Sequence, residues 1–532
     1  MARGSLSGPL LALSVREVLV ICTLGAILRP GRATVAPAQR VNAVASRVGV
    51  RGPEDVNQRE ERAMSAASRH GENTRYAYDD AKHGFFAGIV ERCADAVWTA
   101  VGESRATALF MTGAPSRGEA TIVETSDGLY SLSDVDLVCI ARPDIDLAAA
   151  RADAARAIAA LNRELGGVCV GADASVKPHG YAAHLPPFIS HYELVRTPVL
   201  LRGNRAAAEL LGSVDINEIP ADDALRFVHN RCIERLLTER EAVPVMPLHT
   251  AATAELDHRR RELRTLRSYY STAKLMLDLV TAFLFVHRHV PVGYAERVRL
   301  FIDDYCERPE FGALAEEIDP FLEELPFWAE FKTTGDTNAL RSSLSAGALG
   351  GEHAAPFALM MWKRVLGDVL GEDLSLASLS RSIDRLAAME GPARSIARTL
   401  KTLTSGSRRS LYPVRVALRG APHASPNARA YITGLLLFFS GLGSAAGPSC
   451  ADIEQHEHHA GPIGGPTLRA PREWTREALA RYAPFSLPSG LSSKTDEEMR
   501  ILLLSRLARF HEEALLGRTR SDDGTATEAG TD

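Results

Sequence analysis

The sequence has no paired cysteines. Its seven cysteines stand singly along 532 residues, without a CxxC pair or a tight Cys/His spacing. The odd number of scattered thiols argues against a disulfide framework, and the spacing argues against a zinc site. This usage is typical of a reducing compartment, so we expect a cytoplasmic protein in which Cys139 and Cys169 are buried thiols.

The sequence also lacks a strong net charge and a long unbroken apolar run. Its formal charge of −5 gives no general attraction to long nucleic acids or anionic membranes. The apolar stretch over residues 10–28 is divided by Arg16 and Glu17 into pieces too short to span a bilayer. Two interpretations of it stay open, a weak signal peptide or an extended start before a folded protein that begins near Met64, and we favour the second. We therefore expect no nucleic-acid polymer and no membrane as partner.

Periodicity divides the rest of the chain into two kinds of region. A chain of this length exceeds what one hydrophobic core can organise. Alternating strand and helix patterns predict an α/β domain, and long helical periodicities after residue 206 predict a helical bundle. The predicted fold class is α+β, with these parts: a poorly ordered extension over 1–75, an α/β domain over 76–205, a helical domain over 206–335, a second helical region over 352–515 and a disordered tail over 516–532.

The same patterns predict the order of elements in the α/β domain. A helix begins near Tyr78 and ends at Gly102, because glycine commonly stops a helix. The other expected elements are strands over 107–113, 133–140, 166–176 and 198–203, and helices over 144–165 and 188–196.

Residues 131–140, SLSDVDLVCI, place two carboxylates in a run that otherwise predicts a buried strand. Because strand side chains alternate, Asp134 and Asp136 should share one face with Val138, roughly 6–7 Å apart. The opposite face should be apolar, with Val135, Leu137 and Cys139. Two like charges so close disfavour each other's ionised form. The pair therefore requires a compensating partner.

Upstream of this strand, residues 111–123 read MTGAPSRGEATIV. They predict a buried strand that ends at Gly113, then the SRGE tetrapeptide, and after an insert the Asp-x-Asp strand. This order resembles the nucleotidyltransferase domain of the DNA polymerase β superfamily. GAPSRGE followed by SDVD resembles an uncharacterised bacterial branch with the pattern GSxxRGE…SDxD. The resemblance covers residues 80–205 and extends more weakly into NRCIERLL and YYSTAKLMLDLVTAFL.

The resemblance implies a small mixed-sheet nucleotidyltransferase domain followed by a large all-α region. It implies a two-ion Mg²⁺ site on Asp134, Asp136 and Asp173, with ATP or another nucleoside triphosphate as substrate. The implied reaction transfers a nucleoside monophosphate, AMP from ATP in the expected case, to a hydroxyl of a small molecule or protein and releases pyrophosphate. The implied nucleotide-binding residues are Gly113, Ala114, Ser116, Arg117 and Lys274.

The residue types suit this chemistry on physical grounds. Carboxylates are oxygen ligands for Mg²⁺, and a bound cation removes the repulsion between Asp134 and Asp136. A turn at Gly113 would let backbone N–H groups approach a phosphate closely. Ser116 would donate its hydroxyl to the β- or γ-phosphate, and Arg117 would neutralise the departing pyrophosphate.

Two features depart from the family pattern. Ala114 stands where a second Gly or Ser is usual, which removes a hydroxyl but keeps the backbone donor. Asp173 has two interpretations, a third ligand or a turn aspartate on the opposite face, because a one-residue slip reverses a side chain. The alternative function is therefore a catalytically weak or inactive binding or regulatory module, with an antitoxin-like modifier of a partner protein as a third hypothesis.

A polar stripe crosses the otherwise apolar helix KLMLDLVTAFLFV. Lys274, Asp278 and Thr281 follow the i, i+4, i+7 spacing of one helix face. In one interpretation the stripe faces the nucleotide and Lys274 contacts the triphosphate. In the other, Lys274 and Asp278 form an intrahelical pair on a solvated edge.

Overall fold

The computed structural model describes the chain over residues 75–77, 79–204, 211–242, 252–338 and 354–371, together with short pieces at 395, 428–430, 432–434, 503 and 506–507. The predicted extension before residue 75 and the predicted tail over 516–532 lie outside the described residues. Most of the predicted second helical region lies outside them as well.

The first part of the described chain combines strands and helices. Its elements are, in order, α1 (Asp80–Val101), β1 (Ala106–Thr112), β2 (Ile122–Thr125), β3 (Gly128–Ser131), β4 (Val135–Ala141), α2 (Leu147–Leu165), β5 (Ala172–Lys177), α3 (His179–Ala183), α4 (Ile189–Arg196) and β6 (Val199–Gly203). Four strands form a sheet in the order β5-β4-β1-β6, and β2 pairs with β3 in a separate hairpin. Because β4 and β5 are parallel while β1 is antiparallel to β4 and β6, the larger sheet is mixed.

The two long helices of this region cover one face of the sheet. Each begins at an aspartate whose side chain accepts hydrogen bonds from the first backbone amides, Asp79 in α1 and Asp146 in α2. Their apolar sides join the strands in one core, to which β4 contributes Val135, Leu137 and Cys139. The predicted alternation along β4 is therefore confirmed.

The strand predicted over 166–176 begins later, at Ala172. After α2 ends at Leu165, the amides of Val168 and Cys169 donate to the Leu165 carbonyl. These two amides are therefore not available for the hydrogen bonds of a strand, and Cys169 forms only an isolated bridge with Ser131. The prediction of Cys139 and Cys169 as buried thiols is confirmed.

The second part of the described chain is helical, which confirms the α+β class. Its helices are α5 (Ala221–Ala242), α6 (Ala252–Val286), α7 (Tyr294–Leu300), α8 (Gly312–Leu322), α9 (Glu324–Thr334) and α10 (Ala354–Leu370), with a π-helical segment at Phe301–Cys306. The long helix α6 is central, because α5, α9 and α10 all pack against it.

One segment of α6, Glu262–Val286, is long and apolar enough to cross a membrane by length and composition alone. Within the protein, however, 72% of its most apolar window is buried. Its side chains form the middle of the helical core, so packing against neighbouring helices accounts for its composition.

The insert between the SRGE tetrapeptide and the Asp-x-Asp strand joins the two regions. It folds as the β2–β3 hairpin. Three apolar side chains in the hairpin or directly after it belong to the helical core: Val123, Tyr130 and Leu132. Arg267 of α6 donates to the Tyr130 hydroxyl at 2.7 Å, and Ser126 donates to Glu262 at 3.0 Å. The hairpin is thus a docking element, which the sequence pattern did not indicate.

The end of α9 makes a second junction, against the start of β2. Thr121 donates its hydroxyl to the Lys332 carbonyl. Gly335 ends α9 in the left-handed conformation, at φ +66°, and a Cβ built on it would lie 2.0 Å from the Ile122 carbonyl oxygen. The backbones approach so closely that only glycine fits this position.

Candidate active site

Asp134 and Asp136 lie at the beginning of β4, on the sheet face opposite to α1 and α2. Farther along that face, Val138 and Ile140 pack into a small separate cluster. Both aspartates are partly buried. Burial raises the pKa of Asp136 to about 7, and the charges of Asp134 and then Asp173 add to the shift. The site therefore concentrates negative charge in a partly desolvated place.

Asp173 lies on the strand beside Asp136. The two residues are direct partners in the parallel β4–β5 register, and neighbouring strands are about 4.8 Å apart. Ala172 and Val176 face the helix-covered core, so alternation turns Asp173 to the face of Asp136. Its carboxylate is exposed and accepts a hydrogen bond from the Ala174 amide at 2.8 Å. The register places Asp173 beside Asp136 on one sheet face, without the slip that the turn interpretation requires.

In the part of the chain that the structure describes, no group of three or more His, Cys, Asp or Glu side chains is arranged to hold a metal ion. The donor chemistry nevertheless fits a hard divalent cation. Asp134, Asp136 and Asp173 offer oxygen ligands only, and their mutual repulsion is what a bound cation would relieve.

Gly113 brings backbone next to the Asp136 carboxylate. Thr112 pairs with Asp136 in the β1–β4 register, and Gly113 follows at φ +85° and ψ −163°. Other residues rarely adopt this conformation. A Cβ built on Gly113 would lie 3.4 Å from Asp136 Oδ2. The predicted glycine turn is therefore present, and its positive φ explains why the residue is glycine.

The residues after Gly113 form a 3₁₀ turn, Ala114–Arg117, in which Pro115 and Ser116 are buried. The Ala114 carbonyl accepts the Glu119 amide at 3.0 Å. Ser116 donates its hydroxyl to the Gly113 carbonyl at 2.7 Å and lies 3.2 Å from the Thr197 hydroxyl. These groups hold the turn together. The prediction that Ser116 binds phosphate would require it to exchange those partners.

Arg117 connects the turn to the helical region. Its guanidinium pairs with Glu119 at 2.9 Å and Glu193 at 2.7 Å, and its side chain is only 5% exposed. It also lies 5.2 Å from the centre of the Tyr294 ring. Arg297 of α7 reaches the same Glu193 at 2.6 Å. In this arrangement Arg117 stabilises the junction between regions, and its predicted contact with pyrophosphate stays a prediction.

The polar stripe on α6 is part of an interhelical network. Asp278 and Thr281 are buried, so the solvated-edge interpretation is wrong. The Asp278 carboxylate accepts from Arg231 of α5 and, at 2.9 Å, from the Tyr294 hydroxyl. Thr281 accepts from Arg297 at 3.3 Å. Asp278 is thus engaged by partners on other elements.

Lys274 faces the acids, although it is far from them in the sequence. Its charge lowers the pKa of Asp136, against the effects of burial and of Asp134. Its Nζ lies 3.7 Å from Glu234 Oε2 and 5.7 Å from the centre of the Tyr270 ring. Burial and the charge of Arg231 oppose protonation, but neighbouring acidic groups outweigh them and raise the pKa of Lys274. The raised pKa keeps Lys274 protonated, and its neighbour Tyr270 has its hydroxyl 3.5 Å from Ser133 Oγ, next to Asp134.

Sequence reasoning missed two residues around which this network is organised. Tyr294 is buried, and its backbone N–H donates to Glu119 at 2.7 Å. Lys332 is fully buried. It donates to the Thr121 hydroxyl at 3.1 Å and to the Glu119 carbonyl at 3.3 Å. A helix pattern predicts both positions as ordinary core or surface, so no local signal identifies them.

Lys332 should make stability rise with pH. Burial lowers the pKa of Lys332 to about 7, although Glu119 opposes the shift. Between pH 7 and the ordinary lysine value the unfolded chain binds this proton more strongly, so the free energy of unfolding should increase by up to about 1.4 kcal/mol per pH unit. Urea unfolding at pH 7, 8 and 9 should show a slope that Lys332→Met loses.

Burial raises the pKa of tyrosines and cysteines such as Tyr270 and Cys232, so these groups lower the stability over the same pH range and oppose the effect of Lys332. The informative quantity is therefore the difference in slope between variant and parent. Lys363→Met, at a half-buried lysine of α10, is the matched control. Equal slopes in Lys332→Met and the parent protein would contradict the assignment.

No protein-family model, curated protein or solved structure matches this chain. Its function is therefore inferred from its own residues and their arrangement.

Proposed function

We propose that the protein is a Mg²⁺-dependent nucleotidyltransferase of the DNA polymerase β type. It would transfer a nucleoside monophosphate, AMP from ATP in the expected case, to a hydroxyl of a small molecule or protein. The observation that carries the proposal is the position of Gly113, where a glycine turn at the end of β1 lies beside the start of the Asp-x-Asp strand. Asp173 in register and Lys274 nearby support it.

Each residue has a role in the proposed reaction. Asp134, Asp136 and Asp173 would hold two Mg²⁺ ions. When bound, such ions stabilise the charge on the attacking and leaving oxygens of a phosphoryl displacement. The Gly113 backbone can approach a phosphate without a side chain in the way, and protonated Lys274 would offset phosphate charge.

The bond changes in this reaction balance simply. The acceptor oxygen bonds to the α-phosphorus as the bond from that phosphorus to the β-phosphate bridging oxygen breaks. Pyrophosphate leaves, and the acceptor's hydroxyl proton is released.

A second candidate is a binding or regulatory module with weak or no catalysis, including an antitoxin-like modifier. Three engaged groups favour it. The Asp173 carboxylate bonds the Ala174 amide, Ser116 bonds the Gly113 carbonyl, and Arg117 is held by two glutamates. Such a module would bind a nucleoside triphosphate without cleaving it.

A cytoplasmic location belongs to the proposal. It is supported by the cysteines in the described part of the chain, which are free thiols: Cys93, Cys139, Cys169, Cys232 and Cys306. Neither long nucleic acid nor a membrane is a proposed partner, since the net charge of −5 gives no attraction to either.

Transfer of a radioactive label from ATP separates the two candidates, and the position of the label identifies the group that is transferred. The protein is incubated with Mg²⁺, cell extract and ATP labelled at the α- or the γ-phosphate. A nucleotidyltransferase should label an acceptor from α-labelled ATP only, and chelation of Mg²⁺ by EDTA should abolish the signal. Repeating the assay with each nucleoside triphosphate identifies the donor. Nucleotide binding without label transfer would favour the module, and transfer from the γ-position would overturn the proposal.

A further inference from the structure

Two cations on neighbouring helices share one carboxylate near the candidate active site. Arg231 of α5 donates through Nη1 to Glu234 Oε2 at 2.5 Å, and Lys274 Nζ of α6 lies 3.7 Å from the same oxygen. The charges of Lys274 and Arg231 both lower the pKa of Asp136, which burial raises. Tyr270 links them to the acids: its hydroxyl lies 3.5 Å from Ser133 Oγ, next to Asp134, and its ring centre lies 5.7 Å from Lys274 Nζ. The shared carboxylate is therefore close to the candidate active site.

The two acids that neutralise these cations differ sharply in burial. Asp278, which binds Arg231 through Nε, has a fully buried side chain and also accepts from the Tyr294 hydroxyl. The Glu234 side chain is 45% exposed, whereas those of Arg231 and Lys274 are 17% and 19% exposed. Asp278 is thus a permanent counter-ion, and Glu234 covers the cations from the solvent side.

Among Arg231, Lys274, Asp278 and Glu234, the charges balance only while Glu234 is in place. Arg231 and Lys274 carry two positive charges, and Asp278 and Glu234 carry two negative charges. If Glu234 turned away into solvent, one uncompensated positive charge would remain between a planar guanidinium and an ammonium. That pair suits a phosphate, which offers several oxygens and more charge than one carboxylate.

We propose that Glu234 is an internal competitor for phosphate, and that its carboxylate occupies the anion position on Arg231 and Lys274 until the polyphosphate of a nucleotide displaces it. The inference rests on the proposed function, because it takes the phosphates to lie on this side of Asp136. The low affinity that results would let pyrophosphate leave after transfer, since Glu234 returns to the cations.

Inorganic tripolyphosphate tests the competition without the chemistry. Its dissociation constant is measured by titration calorimetry in the absence of divalent cations, so that only the protein's own charges contribute. Glu234→Gln keeps the shape and removes the charge. It should bind tripolyphosphate about three- to tenfold more tightly, since a partly exposed ion pair must no longer be broken. Lys274→Gln should weaken binding in both backgrounds.

Glu164→Gln is the matched control. Glu164 is an exposed glutamate paired with Arg92 at 2.9 Å, on the sheet face covered by α1 and α2. Glu164→Gln changes the net charge by the same amount as Glu234→Gln. If both variants bind tripolyphosphate more tightly by the same factor, the effect is one of general charge and the proposal is overturned. Weaker binding in Glu234→Gln would also overturn it, because Glu234 would then merely hold the cations in position. No binding by either the parent or Glu234→Gln would overturn it as well.

The shorter acid in Glu234→Asp gives an independent check if Glu234→Gln folds poorly. It keeps the charge but draws it back from Lys274, so an affinity between those of the parent and Glu234→Gln is expected. An affinity equal to the parent's would contradict the proposal. Label transfer from α-labelled ATP is measured separately. If Glu234→Gln binds tripolyphosphate more tightly but the parent transfers no label, the role of Glu234 as a competitor is supported and the nucleotidyltransferase proposal is overturned. If the parent transfers the label but Glu234→Gln binds tripolyphosphate with unchanged affinity, the nucleotidyltransferase proposal is supported and the competitor is overturned.

Discussion

Asp136→Asn is expected to abolish nucleotidyl transfer while making the folded protein more stable. Loss of one metal-binding carboxylate should reduce transfer of the α-label by about a thousandfold or more. The gain in stability has a different origin. Asp136 is crowded by Asp134 and Asp173 in a partly buried place, so its charge disfavours the fold.

The sign of the stability effect follows from the pKa. Burial and the neighbouring acids raise the pKa of Asp136 to about 7, from 3.8. The folded state therefore holds this proton more tightly than the unfolded chain does. The stabilisation from the protonated form is complete below pH 4 and is lost as the pH rises through 7. Asp136→Asn should gain about 2–4 kcal/mol over the parent at pH 8 and nothing at pH 4.

Thermal unfolding at pH 4 and pH 8, with and without Mg²⁺, measures this gain. Mg²⁺ should stabilise the parent protein at pH 8 and leave Asp136→Asn unchanged. Asp153→Asn is the contrasting control. Asp153 of α2 pairs with Arg105 at 2.9 Å, so loss of its charge should destabilise the protein. Label transfer that survives Asp136→Asn would sink the mechanism. Equal pH profiles of stability would refute the crowding of the acids.

Gly335→Ala should cost more stability than any other single methyl group added at a helix end in the described chain. Its Cβ would lie 2.0 Å from the Ile122 carbonyl oxygen, which belongs to a backbone that cannot move aside cheaply. The left-handed conformation should lower the free energy of unfolding of Gly335→Ala by about 1 kcal/mol, and the forced separation of α9 from β2 should lower it by about 1–3 kcal/mol more. The expected loss is therefore about 2–4 kcal/mol.

Gly371→Ala isolates the two contributions. Gly371 follows α10 at the same φ of +66°, but a Cβ built on it meets nothing within 4 Å. It should lose only the conformational part, about 1 kcal/mol. Urea unfolding of both variants gives the difference directly. Losses of equal size would mean that the contact between Gly335 and Ile122 carries no energy, and that the junction is loose.

Much of the α/β region was predictable because its signals are local. The alternation of SLSDVDLVCI determines which side of β4 each residue faces, and the structure confirms it. Helix starts at Asp79 and Asp146 follow from side chains that cap their own amides. The strand predicted from residue 166 failed because amides after α2 bond back to Leu165, which periodicity does not report.

The sequence by itself determined the chemistry of the candidate site: a glycine turn, two acids on one strand face and a polar stripe on an apolar helix. Only the tertiary structure decided which side chains these residues contact. It paired Asp136 with Asp173 through strand register, turned Arg117 toward Glu193, and joined Lys274 to Glu234 rather than to Asp278. Long charged side chains reach several neighbours, and which neighbour they meet depends on how remote elements pack.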